Sequence, residues 1–187
     1  MYRGLKRVAD VVSSLVLLTA LSPLFFVVAV LVRCDSPGRS VFKQQRIGQY
    51  GRPFFIYKFR TMYINAPPNV TAEQRELIAS YITPVGRWLR RTSIDELPQL
   101  VNVLKGEMSL VGPRPVVAVE RELLHLRRNN GALRVRPGIT GLAQVHGRYD
   151  LTVARRAQYD AYYAKEMSFR LDVRIVMMTW RCLLQGS

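Results

Sequence analysis

Asp95 and Glu96 form the only adjacent pair of acids in a 187-residue chain whose 28 lysines and arginines outnumber its 13 aspartates and glutamates. The pair lies between Arg90-Arg91 and Pro98. A carboxylate at a helix mouth is kept ionised by the helix dipole and by nearby cations, and in that form it can serve as a nucleophile or as a ligand for Mg²⁺. A structural task suits the same residues, because Ser93-x-x-Glu96 matches a capping box. Pro98 bears on the choice. With Ser93 as cap it would be the fifth helical residue and would crowd the carbonyl of Ile94, whereas with Asp95 as cap it falls in the first turn. The second register predicts a helix from about Glu96 to Leu104, ended by Gly106, with the acids at its mouth.

The cations that could work with such a pair are spread along the chain. Arg114 stands between Pro113 and Pro115, whose rings limit φ on either side, and a guanidinium fork recognises phosphate by paired hydrogen bonds. Arg136-Pro137-Gly138 and Arg148 are weaker candidates of that type. The alternating, aromatic-rich segment from Phe54 to Met62 reads as a strand with Phe54, Ile56, Lys58 and Arg60 on one face, so that two bases project together. Both could also be a solvated strand face. Cys34 and Cys182 lack metal-ligand spacing and read as free thiols, and His125 and His146 are isolated, which argues against a zinc site and a histidine-based triad. What remains is a set of fixed cations around one carboxylate pair, a pattern suited to phosphate chemistry.

The elements that must position these groups begin with an apolar run from Val11 to Val32. At about 22 residues it could just cross a hydrocarbon core. Pro23 at its centre offers no N–H to the carbonyl of Thr19 and crowds it, so a helix should bend there, with Ser22 available to satisfy the freed group. Arg3, Lys6 and Arg7 precede the run and Arg33, Arg39, Lys43 and Arg46 follow it, an arrangement that conflicts with the positive-inside bias of a spanning helix. Two readings stand: a re-entrant hairpin dipping into one leaflet, and a Pro-kinked spanning helix. No small-residue cleavage pattern follows the run, which argues against a signal peptide.

Downstream, Thr83-Pro84 signals a helix start, and Val85, Trp88 and Leu89 share its apolar side, leaving Arg87, Arg90 and Arg91 elsewhere. Further helices are predicted over Ala72 to Ile82, Val116 to Arg128, Thr152 to Glu166 and Leu171 to Leu184. The last suits either an interfacial or a core helix. The expected fold is α+β and predominantly helical, with a membrane-anchoring segment over 1–34 and one catalytic domain over 35–187. A net charge of +15 favours an anionic partner: nucleic acid, anionic lipid or phosphorylated small molecules. The bases are scattered among Pro/Gly turns without a nucleic-acid-binding module, which favours lipid and phosphates and leaves a membrane-tethered nucleic-acid-binding protein as the alternative reading.

Several ordered blocks carry a resemblance. They are Lys6-Arg7-x-x-Asp10, Ser22-Pro23, Gln45-Arg46-x-Gly48, Tyr57-Lys58-Phe59-Arg60-Thr61-Met62, and Arg91 through Asp95-Glu96-x-Pro98-Gln99 to Asn102. Gly112-Pro113-Arg114-Pro115 and Arg136-Pro137-Gly138-Ile139-Thr140-Gly141 with Gln144 complete the set. In these the chain resembles the monotopic phosphoglycosyl transferases of bacterial glycoconjugate assembly, also called bacterial sugar transferases. The resemblance implies transfer of a sugar 1-phosphate from a UDP-sugar to polyprenyl phosphate with release of UMP, at the cytoplasmic face of the bacterial inner membrane. It implies that Ser22-Pro23 breaks a re-entrant helix, that Asp95 attacks the donor's β-phosphate and binds Mg²⁺, and that Glu96 completes the dyad. Lys58 is carried over as an essential residue and Arg114 as a phosphate contact. Arg60, Arg91, Arg136, Gln144 and Arg148 stand with them as phosphate- or substrate-binding candidates. A homodimer is left open and no nucleic acid is implied. His146 departs from the family, where asparagine is more often expected, and this touches sugar recognition rather than the reaction. Direct transfer, with Asp95 only binding metal, is the rival mechanism.

Overall fold

A computed structural model of the chain describes residues 2–67, 79–147 and 151–184. It opens with two helices, α1 (Tyr2–Ala20) and α2 (Ser22–Asp35), bent by 63° at Leu21. The bend has a local cause. Pro23 lies in the first turn of α2, and the Ser22 hydroxyl donates to the Thr19 carbonyl at 2.8 Å in place of the N–H that Pro23 lacks. No single helix among the described residues is long and apolar enough to cross a membrane, whereas the bent pair has the length and composition to do so. Around the bend, Leu15, Val16, Phe26 and Val27 are exposed.

Nearer the domain the pair turns polar and packed. Asp10 is buried and accepts from the Ser109 hydroxyl at 2.7 Å and from the Leu110 N–H at 3.2 Å. Lys6 bridges to Asp172 at 2.7 Å, and Arg7 donates to the carbonyls of Val103 and Leu104. Val28 and Val32 of α2 pack with Phe59 and Leu89. The Lys6-Arg7-x-x-Asp10 block is therefore the joint between the bent helix pair and the rest of the chain: every charged group in it finds a partner there, as burial requires.

Strands β1 (Val41–Ile47) and β2 (Pro53–Phe59) form an antiparallel hairpin. Next in the described chain is α3 (Pro84–Thr92), whose Thr83 hydroxyl caps the N–H of Gly86 at 3.0 Å, with Pro84 in the first turn as its sequence signals. The acidic pair then lies in a 3₁₀ turn, Ile94–Gln99, and α4 (Leu100–Lys105) follows, ended by Gly106 at φ +84°. The expected continuous helix from Glu96 is thus two elements. Neither anticipated cap forms, since Ser93 is left-handed and makes no side-chain cap bond. Tight i→i+3 turns accommodate Pro98 where an α-helix would lose a hydrogen bond and clash.

Strand β3 (Ser109–Val111) pairs in parallel with β4 (Gly138–Thr140), a contact the sequence does not announce. Helix α5 (Arg121–Asn129) starts later than expected. Val116 is withdrawn from it because its carbonyl accepts from the Ile47 N–H at 2.8 Å. The short α6 (Leu142–Val145), α7 (Val153–Glu166) and α8 (Phe169–Leu184) close the fold. Val111, Val135, Leu142, Tyr163 and Ile175 form one core cluster, and Phe54, Ile56, Val103 and Met108 another. Helix α8 has two faces: Asp172 and Ile175 point inward, while Phe169, Val173, Val176 and Trp180 form an exposed apolar stripe. The chain is predominantly helical α+β, as expected. Of the helix predicted over 72–82, positions 72–78 lie outside the described residues and 79–81 are helical.

Candidate active site

The site forms where β2, the 3₁₀ turn and the loop after β3 meet. Asn102 of α4, fully buried, fixes the first two. Its Oδ1 accepts from the Tyr57 N–H at 3.1 Å, and its Nδ2 donates to the Phe55 carbonyl at 2.7 Å and to Glu107 at 2.7 Å. An amide that satisfies one strand edge this way sets β2 against the turn that precedes α4. Lys58, one residue beyond Tyr57, then reaches Glu96, with Nζ 2.7 Å from Oε1.

The third wall depends on glycine. A Cβ on Gly141 would lie 2.1 Å from the Gly112 carbonyl oxygen, and one on Gly138 would lie 2.1 Å from the Gly112 nitrogen. Only bare backbones can approach so closely. Their contact seats the loop from Gly112 to Pro115, and Arg114 projects from it to grip Glu96 with both ends of its fork, Nη2 to Oε1 at 2.7 Å and Nη1 to Oε2 at 3.2 Å.

The two acids consequently differ in state. Burial works against ionisation of Glu96, but the charges and hydrogen bonds of Arg114 and Lys58 outweigh it and hold that carboxyl well below the usual range. Burial pushes the Asp95 carboxyl up to about 6 despite the attraction of Lys58, and the charge on Glu96 adds to the rise. Lys58 is drawn below its ordinary value by burial, which Glu96 offsets only in part. Among the described residues none donates a hydrogen bond to Asp95. Glu96 is an ion-pair hub, and Asp95 is a buried carboxylate whose lone pairs are not committed.

A metal can be tested against this donor set. Among the described residues no group of three or more acids, histidines or cysteines could hold an ion. Mg²⁺ commonly takes one or two carboxylates and completes its shell with water and substrate phosphates, so Asp95 suits it while Glu96, with both oxygens taken by cations, does not.

The remaining candidates fall in several places. The Arg60 guanidinium is buried and caps the end of α2, donating to the carbonyls of Val32 at 3.2 Å, Ser36 at 2.6 Å and Pro37. Lys58 of β2 and Arg60 just beyond its end therefore diverge rather than project together. Arg91 is exposed, and it is Arg90 that turns inward: its Nε donates to Thr61 Oγ1 at 2.8 Å, and its charge acts on Asp95. Gly86 packs on the Thr61 backbone, and Arg90 lies one turn further along the same helix face. Arg136 donates to the Gly106 carbonyl at 2.9 Å, beside Arg7, at the opposite end of α4 from the dyad. Gln144 folds back on its own loop, Nε2 to the Ile139 carbonyl at 3.1 Å. Arg148 lies outside the described residues. Lys58, Glu96 and Arg114 are thus joined, with Asp95 beside them.

The family model described as bacterial sugar transferase matches residues 1–186. The chain belongs to that family. Its sugar-transferase relatives include the undecaprenyl-phosphate glucose phosphotransferase of Komagataeibacter xylinus, 44% identical over 93% of this chain and 35% of the relative. The exopolysaccharide production protein ExoY of Sinorhizobium fredii is 40% identical over 97% of this chain and 87% of the relative. The UDP-glucose:undecaprenyl-phosphate glucose-1-phosphate transferase of Escherichia coli is 39% identical over 95% of this chain and 39% of the relative. The chain spans little more than a third of the first and third of these proteins and most of the second.

Proposed function

We propose that this sugar-transferase chain moves a sugar 1-phosphate from a UDP-sugar to polyprenyl phosphate, undecaprenyl phosphate in bacteria, and releases UMP as the first membrane step of exopolysaccharide or related glycan synthesis. The observation that carries the reading is the division of the acid pair. Glu96 gathers Lys58 and Arg114 into a fixed cationic wall, while Asp95 stays beside them uncommitted.

In this reading an Asp95 oxygen forms a bond to the β-phosphorus of the donor as the bond from that phosphorus to the bridging oxygen of UMP breaks. An oxygen of the acceptor phosphate then attacks the same phosphorus and releases the Asp95 carboxylate. No general base is required, because the acceptor is already an anion. Lys58 and Arg114, prealigned by Glu96, face the charge that builds on the transferring group, and prealignment avoids reorganisation at that moment. Asp95 would hold Mg²⁺, and the ion would neutralise charge that the already paired cations leave uncompensated.

The same reading seats the exposed apolar bend of α1 and α2 in one leaflet, with both arms returning to the cytoplasmic side. Arg3, Lys6 and Arg7 before it and Arg33, Arg39 and Lys43 after it would then meet headgroups at one surface. The positive charge serves lipid and substrate phosphates rather than a nucleic acid.

The test is UMP release from UDP-sugars by the purified protein in detergent with Mg²⁺. With polyprenyl phosphate present, UMP and the lipid-linked sugar phosphate should form together. Without acceptor, UMP should appear at no more than one equivalent per enzyme, and labelled UMP should exchange into UDP-sugar. Turnover with acceptor but neither burst nor exchange without it would replace the covalent step by direct transfer, and absence of UMP release across a panel of UDP-sugars would overturn the reading.

A further inference from the structure

Arg114 depends on more than its flanking prolines. Arg127 of α5 and Asp160 of α7 are both almost fully buried, 3% and 1% exposed. The Arg127 guanidinium sets Nε at 2.8 Å and Nη2 at 2.5 Å from one oxygen of Asp160, which fixes its plane, and its remaining terminal nitrogen, Nη1, donates to the main-chain carbonyl of Arg114 at 2.9 Å. One turn along α7 from Asp160, the Tyr163 hydroxyl lies 2.9 Å from the carbonyl of Val111 and 2.8 Å from Asp172 Oδ1, its single proton shared between the two acceptors. One face of α7 thus holds both ends of the Val111–Arg114 stretch, directly at Val111 and through Arg127 at Arg114.

We infer that Asp160 and Arg127 are positioning residues of the transfer reaction, holding the Arg114 backbone so that its fork meets Glu96 and the donor phosphate in register. The inference rests on the function proposed above. A paired guanidinium contact tolerates little displacement, because both N–H bonds weaken together when the backbone behind them shifts. Pro113 and Pro115 stiffen the loop and contribute no N–H; their carbonyls accept from the Gly138 N–H at 2.9 Å and from Arg46 at 3.4 Å, which leaves the residue between them to be held by another donor. The Arg127 bond to the Arg114 carbonyl ties it down at the residue that needs it.

The experiment separates positioning from folding. Replacing both members by apolar residues, Arg127→Met with Asp160→Leu, removes the charges together and is often neutral for stability, whereas removing one member would strand the other. The double variant should melt close to the wild type, exchange its Gly112, Arg114 and Val116 amides faster, and lose roughly 10- to 100-fold in kcat with a smaller change in KM. Arg127→Lys keeps the charge but not the fork and should recover only part of kcat. In an Arg114→Ala background the same double change should cost less than about twofold, because the side chain it positions is gone. A folded double variant with wild-type kcat, or an equal fold-loss in the Arg114→Ala background, would overturn the assignment. The exchange measurement needs no turnover. If the wild type fails to release UMP, unchanged amide exchange still refutes the tether, and faster exchange supports it independently of the function proposed.

Discussion

Replacing Asp95 by asparagine should make the folded protein more stable at neutral pH while abolishing transfer. Burial in the 3₁₀ turn raises the Asp95 carboxyl from its ordinary 3.8 to about 6, even with Lys58, Arg114 and Arg90 nearby. The unfolded chain releases that proton more readily than the folded one, so ionisation above pH 6 is a cost carried by the native state. The difference amounts to about 3 kcal/mol at pH 7.5, and an amide of the same shape avoids it. A carboxyl raised in the folded state destabilises most at high pH, so the penalty should fall as the native group protonates, to about half at pH 5 and under about 1 kcal/mol at pH 4. For a chain of this size the gain in Tm at pH 7.5 is about 6–12 °C. The assay is unfolding of both proteins in mild detergent with a chelator present, at pH 7.5, 6 and 5. An asparagine variant no more stable than wild type at pH 7.5, or an advantage that does not shrink on acidification, would refute the argument that Asp95 is a strained, buried carboxylate held for chemistry.

Other perturbations act on different parts of the site and on the bent helix pair. Arg114→Lys keeps a charge but loses the paired contact with Glu96, and a lost charged hydrogen bond of about 1.5–3 kcal/mol predicts a ten- to hundredfold fall in turnover, checked by initial rates of UMP release. Glu96→Gln leaves Lys58 and Arg114 facing each other without their common anion, so it should destabilise by about 3 kcal/mol in the same unfolding assay; an unchanged midpoint would mean the ion-pair hub is not structural. Pro23→Ala restores the missing N–H and should straighten the bend towards a spanning helix; single-cysteine labelling near Tyr2 and Arg39 should report both ends on the cytoplasmic side in wild type and on opposite sides in the variant.

Wherever a feature of this chain depends on neighbours along the backbone, the sequence by itself determined it. The break at Ser22-Pro23, the hydroxyl cap of Thr83, the stop at Gly106 and the cap of Thr152 on α7 are each set by one residue's backbone freedom or hydrogen-bonding atoms within a turn of itself. The spacing of the motif blocks also marked Lys58, Glu96 and Arg114, which the fold brings to one point from positions far apart in the chain. Local rules failed at the acid pair, where Pro98 is accommodated by a 3₁₀ turn that neither capping register foresaw. Nor do they place Arg60, whose guanidinium serves three carbonyls at the end of α2, or Arg136, which lies at the end of α4 away from the dyad. Tertiary structure alone decided those roles, along with the inward turn of Arg90, the Arg127–Asp160 tether and the Lys6–Asp172 joint. The physical reason is that an arginine's chemistry depends on which acceptors lie within reach of its fork. Those acceptors are carbonyls and carboxylates supplied by segments remote in sequence, through contacts such as the bare-backbone approach of Gly112 to Gly141 that no local pattern encodes.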